Sequence, residues 1–289
     1  MKKYLISSIF MFTVLTAWAA TKRALLVGIS KYPTNNTHSY ATWNAIHGAN
    51  DVELIRKTLK IQGFKTTALL NANATAARIR RAMGKLLSES TVGDMIYLHF
   101  SCHGQPVEDL NNDEADGWDE AIVPYDAWKR PIKGLYMGQN HILDDELNVM
   151  IGNIRKKIGP TGFVYVVIDA CHAGGANRGE EEDFIRGTQD GFSLTNKKYI
   201  PRIDVRSNIP VDAVTGYAEV CILEACRAYQ TNFEIKQNGM YYGPLSYCVN
   251  QILQHQTLTI DTKWVSLVQR LMATKLTKQN MVIQTTKKK

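Results

Sequence analysis

Gly162-Phe-Val-Tyr-Val-Val-Ile-Asp-Ala-Cys171-His172-Ala-Gly-Gly175 is the stretch whose reading decides the fold. An unbroken apolar run, rich in β-branched and aromatic residues and closed by small ones, suits a strand buried on both faces of a parallel sheet. A second run of this kind, Asp94-Met-Ile-Tyr-Leu-His-Phe-Ser-Cys-His103-Gly104, also stops at a reactive side chain. Cys171 and His103 therefore stand at the carboxyl ends of two parallel strands, where open α/β sheets bind their ligands, and can meet in one crevice. Gly104, Gly174 and Gly175 let a substrate backbone come close. A thiol that attacks a carbonyl and an imidazole that carries its proton are the parts of a cysteine hydrolase. The backbone amides of Gly104 and Cys171 are the natural donors to an oxyanion at these strand ends. No third catalytic residue stands out, so the expected device is a dyad.

Outward from these runs the pattern alternates. Arg23 to Ile29 reads as a first strand, Asn50 to Gly63 as an amphipathic helix, Lys65 to Leu70 as a second strand and Thr75 to Leu87 as a second helix. Strand, helix, strand, helix, strand is the rhythm of an α/β fold whose mostly parallel central sheet carries helices on both faces. An acidic loop is expected from Glu108 to Glu120, and a third helix near Asp144 and Asp145, whose carboxylates suit a helix amino terminus. Tyr217 to Cys226 restores a strand, with helices over Gly243 to Leu253 and Thr262 to Ala273. Residues 176–217 show little periodicity, and so long a segment without regular structure reads as a functional or cleavable loop. No linker divides the chain, so residues 20–289 are expected to form a single domain.

Composition narrows the setting. Lys2 and Lys3, an apolar stretch from Tyr4 to about Ala17 and Ala17-Trp18-Ala19 have the anatomy of a signal peptide over residues 1–19. Export to the periplasm or outside follows, with no transmembrane anchor after cleavage, because a bilayer needs about 20 apolar residues. The formal charge of +7 falls to +5 without Lys2 and Lys3, and Lys287, Lys288 and Lys289 supply three more of it, so no nucleic-acid partner is read from it. The 5 cysteines are odd in number and form no CxxC pair, which leaves at least one free thiol. That thiol is assigned to Cys171. Cys102 points away from the face His103 shares with Ser101 and reads as packing, while Cys221 and Cys226 face opposite sides of one strand.

Ser101-Cys-His103-Gly104 and Asp169-Ala-Cys171-His172-Ala-Gly174-Gly175 together resemble the two signatures of metacaspases and their bacterial caspase-like relatives, 68 residues apart from His to Cys. The resemblance spans roughly Arg23 to Leu253 and implies a caspase-like fold and a cysteine endopeptidase acting on peptide or protein substrates. It also implies that Asp51, Ser101 and Asp169 form the S1 pocket and take Arg or Lys; a buried cation needs a paired anion, which agrees. Asp119, Asp144 and Asp145 resemble three ligands of the calcium site in one type of metacaspase, which makes calcium a possible activator, although no cofactor is required for the chemistry. Where that type has a further Asp after the nucleophile, this chain has Arg178, and Glu180 slightly beyond. Arg178, Arg186, Lys197, Lys198, Arg202 and Arg206 make residues 176–217 a candidate for self-cleavage by an enzyme that cuts after basic residues. Two competing classes remain: a catalytically silent caspase-like module that binds peptides or partners, and a clostripain-like or gingipain-like peptidase. A flavodoxin-like nucleotide binder is poorer, because Gly28-Ile-Ser-Lys31 is no phosphate loop.

Overall fold

The computed structural model describes residues 20–34, 37–112, 114–171, 184–188, 190–201, 203, 211–276 and 279–287. The segment 1–19, and with it the expected leader, lies outside them, as do Gly174, Gly175, Arg178, Glu180, Arg202 and Arg206.

In chain order the elements are β1 (Lys22–Gly28), α1 (Gly48–Ile61), β2 (Lys65–Leu70), α2 (Ala76–Glu89), β3 (Met95–Ser101), β4 (His103–Glu108), β5 (Trp118–Val123), β6 (Ile142–Leu143) and α3 (Asp144–Ile158). They continue with β7 (Phe163–Asp169), β8 (Glu219–Glu224), β9 (Ile235–Gln237), β10 (Met240–Tyr242), α4 (Pro244–Leu253), α5 (Lys263–Lys275) and β11 (Val282–Thr285). The main sheet has 6 strands in the order β11-β8-β7-β3-β1-β2. All its pairings are parallel except that of β11 with β8.

Alternation along the strands divides the core in two. Leu25, Val27, Leu98, Phe100, Val164 and Val166 face one way and meet Ile79 and Met83 of α2 and Leu147, Ile151 and Ile154 of α3. Leu26, Tyr97, Tyr165, Val167 and Leu223 face the other way and meet Val52 and Ile55 of α1, Val249 of α4 and Val268 of α5. The expected helices on both faces are thus present. Cys102 lies in the first core and Cys221 in the second, and all 5 cysteines are free thiols. Among the described residues no helix is long and apolar enough to cross a membrane.

The acidic stretch is loop between Glu108 and Trp118, as its composition suggests, but its two ends belong to strands. Residues 103–108, 118–123 and 142–143 form a three-stranded antiparallel sheet. Its carboxylates hold backbone amides: Asp109 accepts from Asn111, Asn112 and Glu114, and Glu108 accepts from Leu194, Thr195 and the Ser193 hydroxyl. Part of the aperiodic segment is also tied down, since Phe192 bridges Val107 and is buried.

One close crossing positions the site. The amino end of α1 passes over the ends of β1 and β3, where Ile29 N–H donates to the Ser101 carbonyl at 3.0 Å. A β-carbon on Gly48 would lie 2.1 Å from that carbonyl oxygen, so only glycine lets α1 start here. Gly48→Ala is expected to cost about 1–3 kcal/mol by overpacking. Gly84, inside α2 with nothing near its missing β-carbon, should instead gain about 0.5–1 kcal/mol on change to alanine. Urea unfolding of the two variants beside the parent checks the opposite signs.

Candidate active site

Ser101 and Asp169, the last residues of β3 and β7, are register partners, so their side chains leave neighbouring strands on one face. Asp51, in the first turn of α1, reaches the same point: the Ser101 hydroxyl donates to its Oδ2 at 2.6 Å. Gly243 N–H donates to Asp51 Oδ1 at 3.0 Å. Asp169 is fixed by Asn232 Nδ2 at 2.8 Å and by the amide and hydroxyl of Ser246, each at 2.7 Å. All three expected pocket residues are therefore together and fully buried.

The pocket holds the guanidinium of Arg186, also fully buried. Its Nη1 lies 2.7 Å from Asp51 Oδ2 and donates to Ser101 Oγ at 2.6 Å, with Asp169 Oδ1 at 3.8 Å. Its Nε and Nη2 both donate to Glu234 Oε1, at 3.0 and 2.7 Å. Glu234 is positioned in turn by His47, whose amide donates to Oε1 at 2.7 Å and whose Nδ1 lies 2.5 Å from Oε2. Burial alone would lower the Arg186 pKa, but Asp51, Glu234 and Asp169 carry it above its usual value. Burial pushes the Asp51 carboxyl up to about 7, against the pull of Arg186.

Glu234, His47 and Asn232 were not legible as site residues. They come from segments without periodicity, and what brings them in is pairing between distant stretches. Glu234 N–H donates to the Phe184 carbonyl at 2.9 Å, and Ile185 bridges Phe233.

Cys171 and Gly104 are where the strand ends predict them. Cys171 N–H and Gly104 N–H both donate to one carbonyl oxygen, that of Arg186, at 2.9 and 3.2 Å. Two amides converging on one oxygen form the geometry that stabilises a developing oxyanion. Both reactive side chains are covered: His103 is 2% exposed and Cys171 0%. The closure over Cys171 is made by the chain's own segment at Arg186 and Gly187, and by Cys226, whose thiol is held protonated by its hydrogen bond to Cys171 and by burial.

His103 stacks on Trp43 at 4.7 Å and 26° and packs against Tyr32 at 5.2 Å. Its Nε2 lies 2.9 Å from the Asn44 carbonyl, which can only accept, so Nε2 carries the hydrogen and Nδ1 keeps its lone pair. Nδ1 is buried without a hydrogen-bond partner, while the Cys171 thiol donates to the Gln230 carbonyl at 2.9 Å. His103 thus has a fixed tautomer, and the Cys171 thiol keeps its proton in the bond to Gln230.

Asp144 Oδ1 is buried without a hydrogen-bond partner, and its carboxyl is pushed up to about 8 by burial and then by Asp119, Asp145 and Glu114. Buried oxygens in mutual repulsion suit a hard cation. Among the described residues, however, no three ligating side chains are grouped as a preformed metal site.

A largely parallel sheet that carries a thiol and an imidazole at the ends of adjacent strands, with an anionic pocket between them, defines a caspase-like protein. The chain belongs to the caspase-domain family, whose model matches residues 21–289. Metacaspase-1 of Schizosaccharomyces pombe is 27% identical over 274 residues, covering 80% of this chain and 60% of that protein. Metacaspase-1B of Aspergillus fumigatus is 39% identical over 202 residues, covering 60% of this chain and 46% of that protein. The chain thus spans about half the length of these curated relatives. A structural-genomics protein of Geobacter sulfurreducens superposes with a TM-score of 0.62 at 20% identity, covering 92% of this chain and 93% of that one. Pro-sf-caspase-1 superposes with a TM-score of 0.50 at 13% identity, covering 92% and 88%. These two likenesses concern the fold.

Burial pushes the His103 pKa down to about 3. The unfolded chain binds a proton near pH 6.5 that the folded chain refuses, so this histidine subtracts stability as pH falls from about 6.5 toward 3. In the Cys171→Ala chain, the His103 ring resonances should stay flat from pH 8 to 5, and a midpoint near 6.5 contradicts the buried neutral imidazole.

Proposed function

We propose that the chain is a cysteine endopeptidase that uses a His103–Cys171 dyad and cleaves peptide or protein substrates on the carboxyl side of Arg or Lys. What carries the reading is a single observation: a basic side chain sits among Asp51, Ser101 and Asp169 while its own carbonyl oxygen rests on the amides of Cys171 and Gly104. That is the pose a substrate residue before the scissile bond must adopt. His103 Nδ1 takes the thiol proton, the sulfur attacks the carbonyl carbon, and the imidazolium then protonates the leaving amine. The two amides hold the negative charge on the carbonyl oxygen meanwhile.

The pocket supports Arg more strongly than Lys. Glu234 takes two hydrogen bonds from the guanidinium fork, and a lysine ammonium, a point donor, satisfies Asp51 and Ser101 but leaves Glu234 short. A charge-assisted hydrogen bond contributes about 1.5–3 kcal/mol, so kcat/KM for Arg peptides should exceed that for Lys peptides by about tenfold or more. Glu234→Gln keeps an acceptor for His47 N–H but removes the charge, and should shrink the ratio.

Export through the leader at 1–19 to the periplasm or the outside belongs to the same reading, with no nucleic-acid partner and no cofactor required for the chemistry. Calcium enters as an activator: Asp119, Asp144 and Asp145 would hold it through oxygen ligands and relieve the repulsion on Asp144.

Fluorogenic Arg, Lys and Asp peptides, with calcium or with excess chelator, form the test beside Cys171→Ala. Turnover of Arg and Lys peptides, abolished by the substitution and raised by calcium, is the expected result. Equal rates in chelator remove calcium from the reading. No turnover of any peptide, with or without calcium, favours the silent binding module.

A further inference from the structure

Phe184 and Arg186 share one face of an extended stretch, because alternate side chains of such a chain point the same way. The stretch is aligned by its main chain. Arg186 N–H donates to the Asn232 carbonyl at 3.1 Å, Glu234 N–H donates to the Phe184 carbonyl at 2.9 Å, and Ile185 forms an antiparallel bridge with Phe233. Extended peptides are held along a sheet-like edge by pairing of this kind, and pockets for alternate side chains set the preference. Arg186 fills the acidic pocket, so the next pocket on that face belongs two residues earlier, where Phe184 stands.

Phe184 enters an aromatic corner. Its ring meets the His47 ring at 4.5 Å and 89° and the Tyr241 ring at 4.8 Å and 67°. His47 and Tyr241 stack on each other at 5.1 Å and 22°, so the two make one continuous aromatic wall. Steeply tilted ring contacts set the positive rim of one ring against the negative face of another, a gain that a saturated side chain does not make.

The wall is fixed by parts of the fold other than Phe184. His47 immediately precedes α1 and is tied to Glu234 through its amide and its Nδ1. Tyr241 lies in β10 opposite Lys236 of β9, and its carbonyl accepts from Asn50 Nδ2 of α1 at 3.1 Å. One histidine thus braces the carboxylate that takes the guanidinium fork and also forms part of the aromatic wall. The spacing between the two pockets is set by that shared residue.

We propose that His47 and Tyr241 form a subsite for an aromatic side chain two residues before the Arg, so that preferred substrates carry aromatic-x-Arg ahead of the scissile bond. The inference rests on the peptidase reading above and adds a preference that the acidic pocket alone does not supply. The middle residue, at the place of Ile185, faces away from both pockets. Binding gained at the ring, remote from the reacting carbonyl, is kept in the transition state and appears in kcat/KM.

Initial rates of the full chain on fluorogenic Phe-Ile-Arg, Leu-Ile-Arg and Ala-Ile-Arg peptides test this. The value of kcat/KM is expected to be highest for the Phe peptide, about tenfold above the Ala peptide, with the Leu peptide between them. Tyr241→Leu keeps apolar bulk and removes the ring, and should bring the Phe and Leu peptides to within about twofold of each other. Because that comparison is a ratio within one variant, a general loss of activity does not imitate it. A wild type that turns over the Phe peptide no better than the Leu or Ala peptide overturns the subsite and leaves the peptidase reading intact. An undiminished Phe preference in Tyr241→Leu does the same. No turnover of any of the three by wild type overturns both, and if Tyr241→Leu does not fold, the wild-type series decides alone.

Discussion

A guanidinium removed from water is tolerated only where anions replace its hydration, and the centre of this molecule is arranged around that demand. Asp51, Asp169 and Glu234 come from α1, β7 and the stretch before β9, and Arg186 lies between all three. Each carboxylate is held by further groups, Ser101 and Gly243 for Asp51, Asn232 and Ser246 for Asp169, and His47 for Glu234. Breaking a buried pair by removing one partner costs far more than the pair contributes, because the other charge is left alone. Three elements distant in sequence are thereby held in one register, and the reactive groups next to them inherit it.

The reactive side chains need little else. β3 and β7 are neighbours in the middle of the sheet, so their ends cannot drift apart without disrupting 7 register pairs between them. The amides of Gly104 and Cys171 follow directly from those ends. His103 is held from the other side by Trp43, Tyr32 and the Asn44 carbonyl, which sets its tautomer without any carboxylate. A backbone carbonyl does the orienting.

What could be read in the sequence was whatever depends on short-range periodicity. The strand ends at Ser101 and Asp169, the helix start near Asp51 and the two reactive residues follow from alternation and apolar runs within a dozen positions. The β4–β5–β6 sheet was missed because its strands carry Glu108, Asp119 and Glu120, charges that composition assigns to solvent but that the structure turns inward. Glu234 and His47 were missed for another reason: their proximity depends on contacts spanning 187 residues, and no local pattern encodes such a distance. The same holds for Arg186, one basic residue among six in its stretch until backbone pairing singled it out.

Because Arg186 and the pocket that grips it are parts of one polypeptide, the cation and its anions are encoded together. Loss of one anion would leave the guanidinium short of charge, and a change at residue 186 would leave three buried carboxylates without their cation. The two can change only in concert. In relatives with a different residue at this position, the pocket's charges should be found to have changed with it.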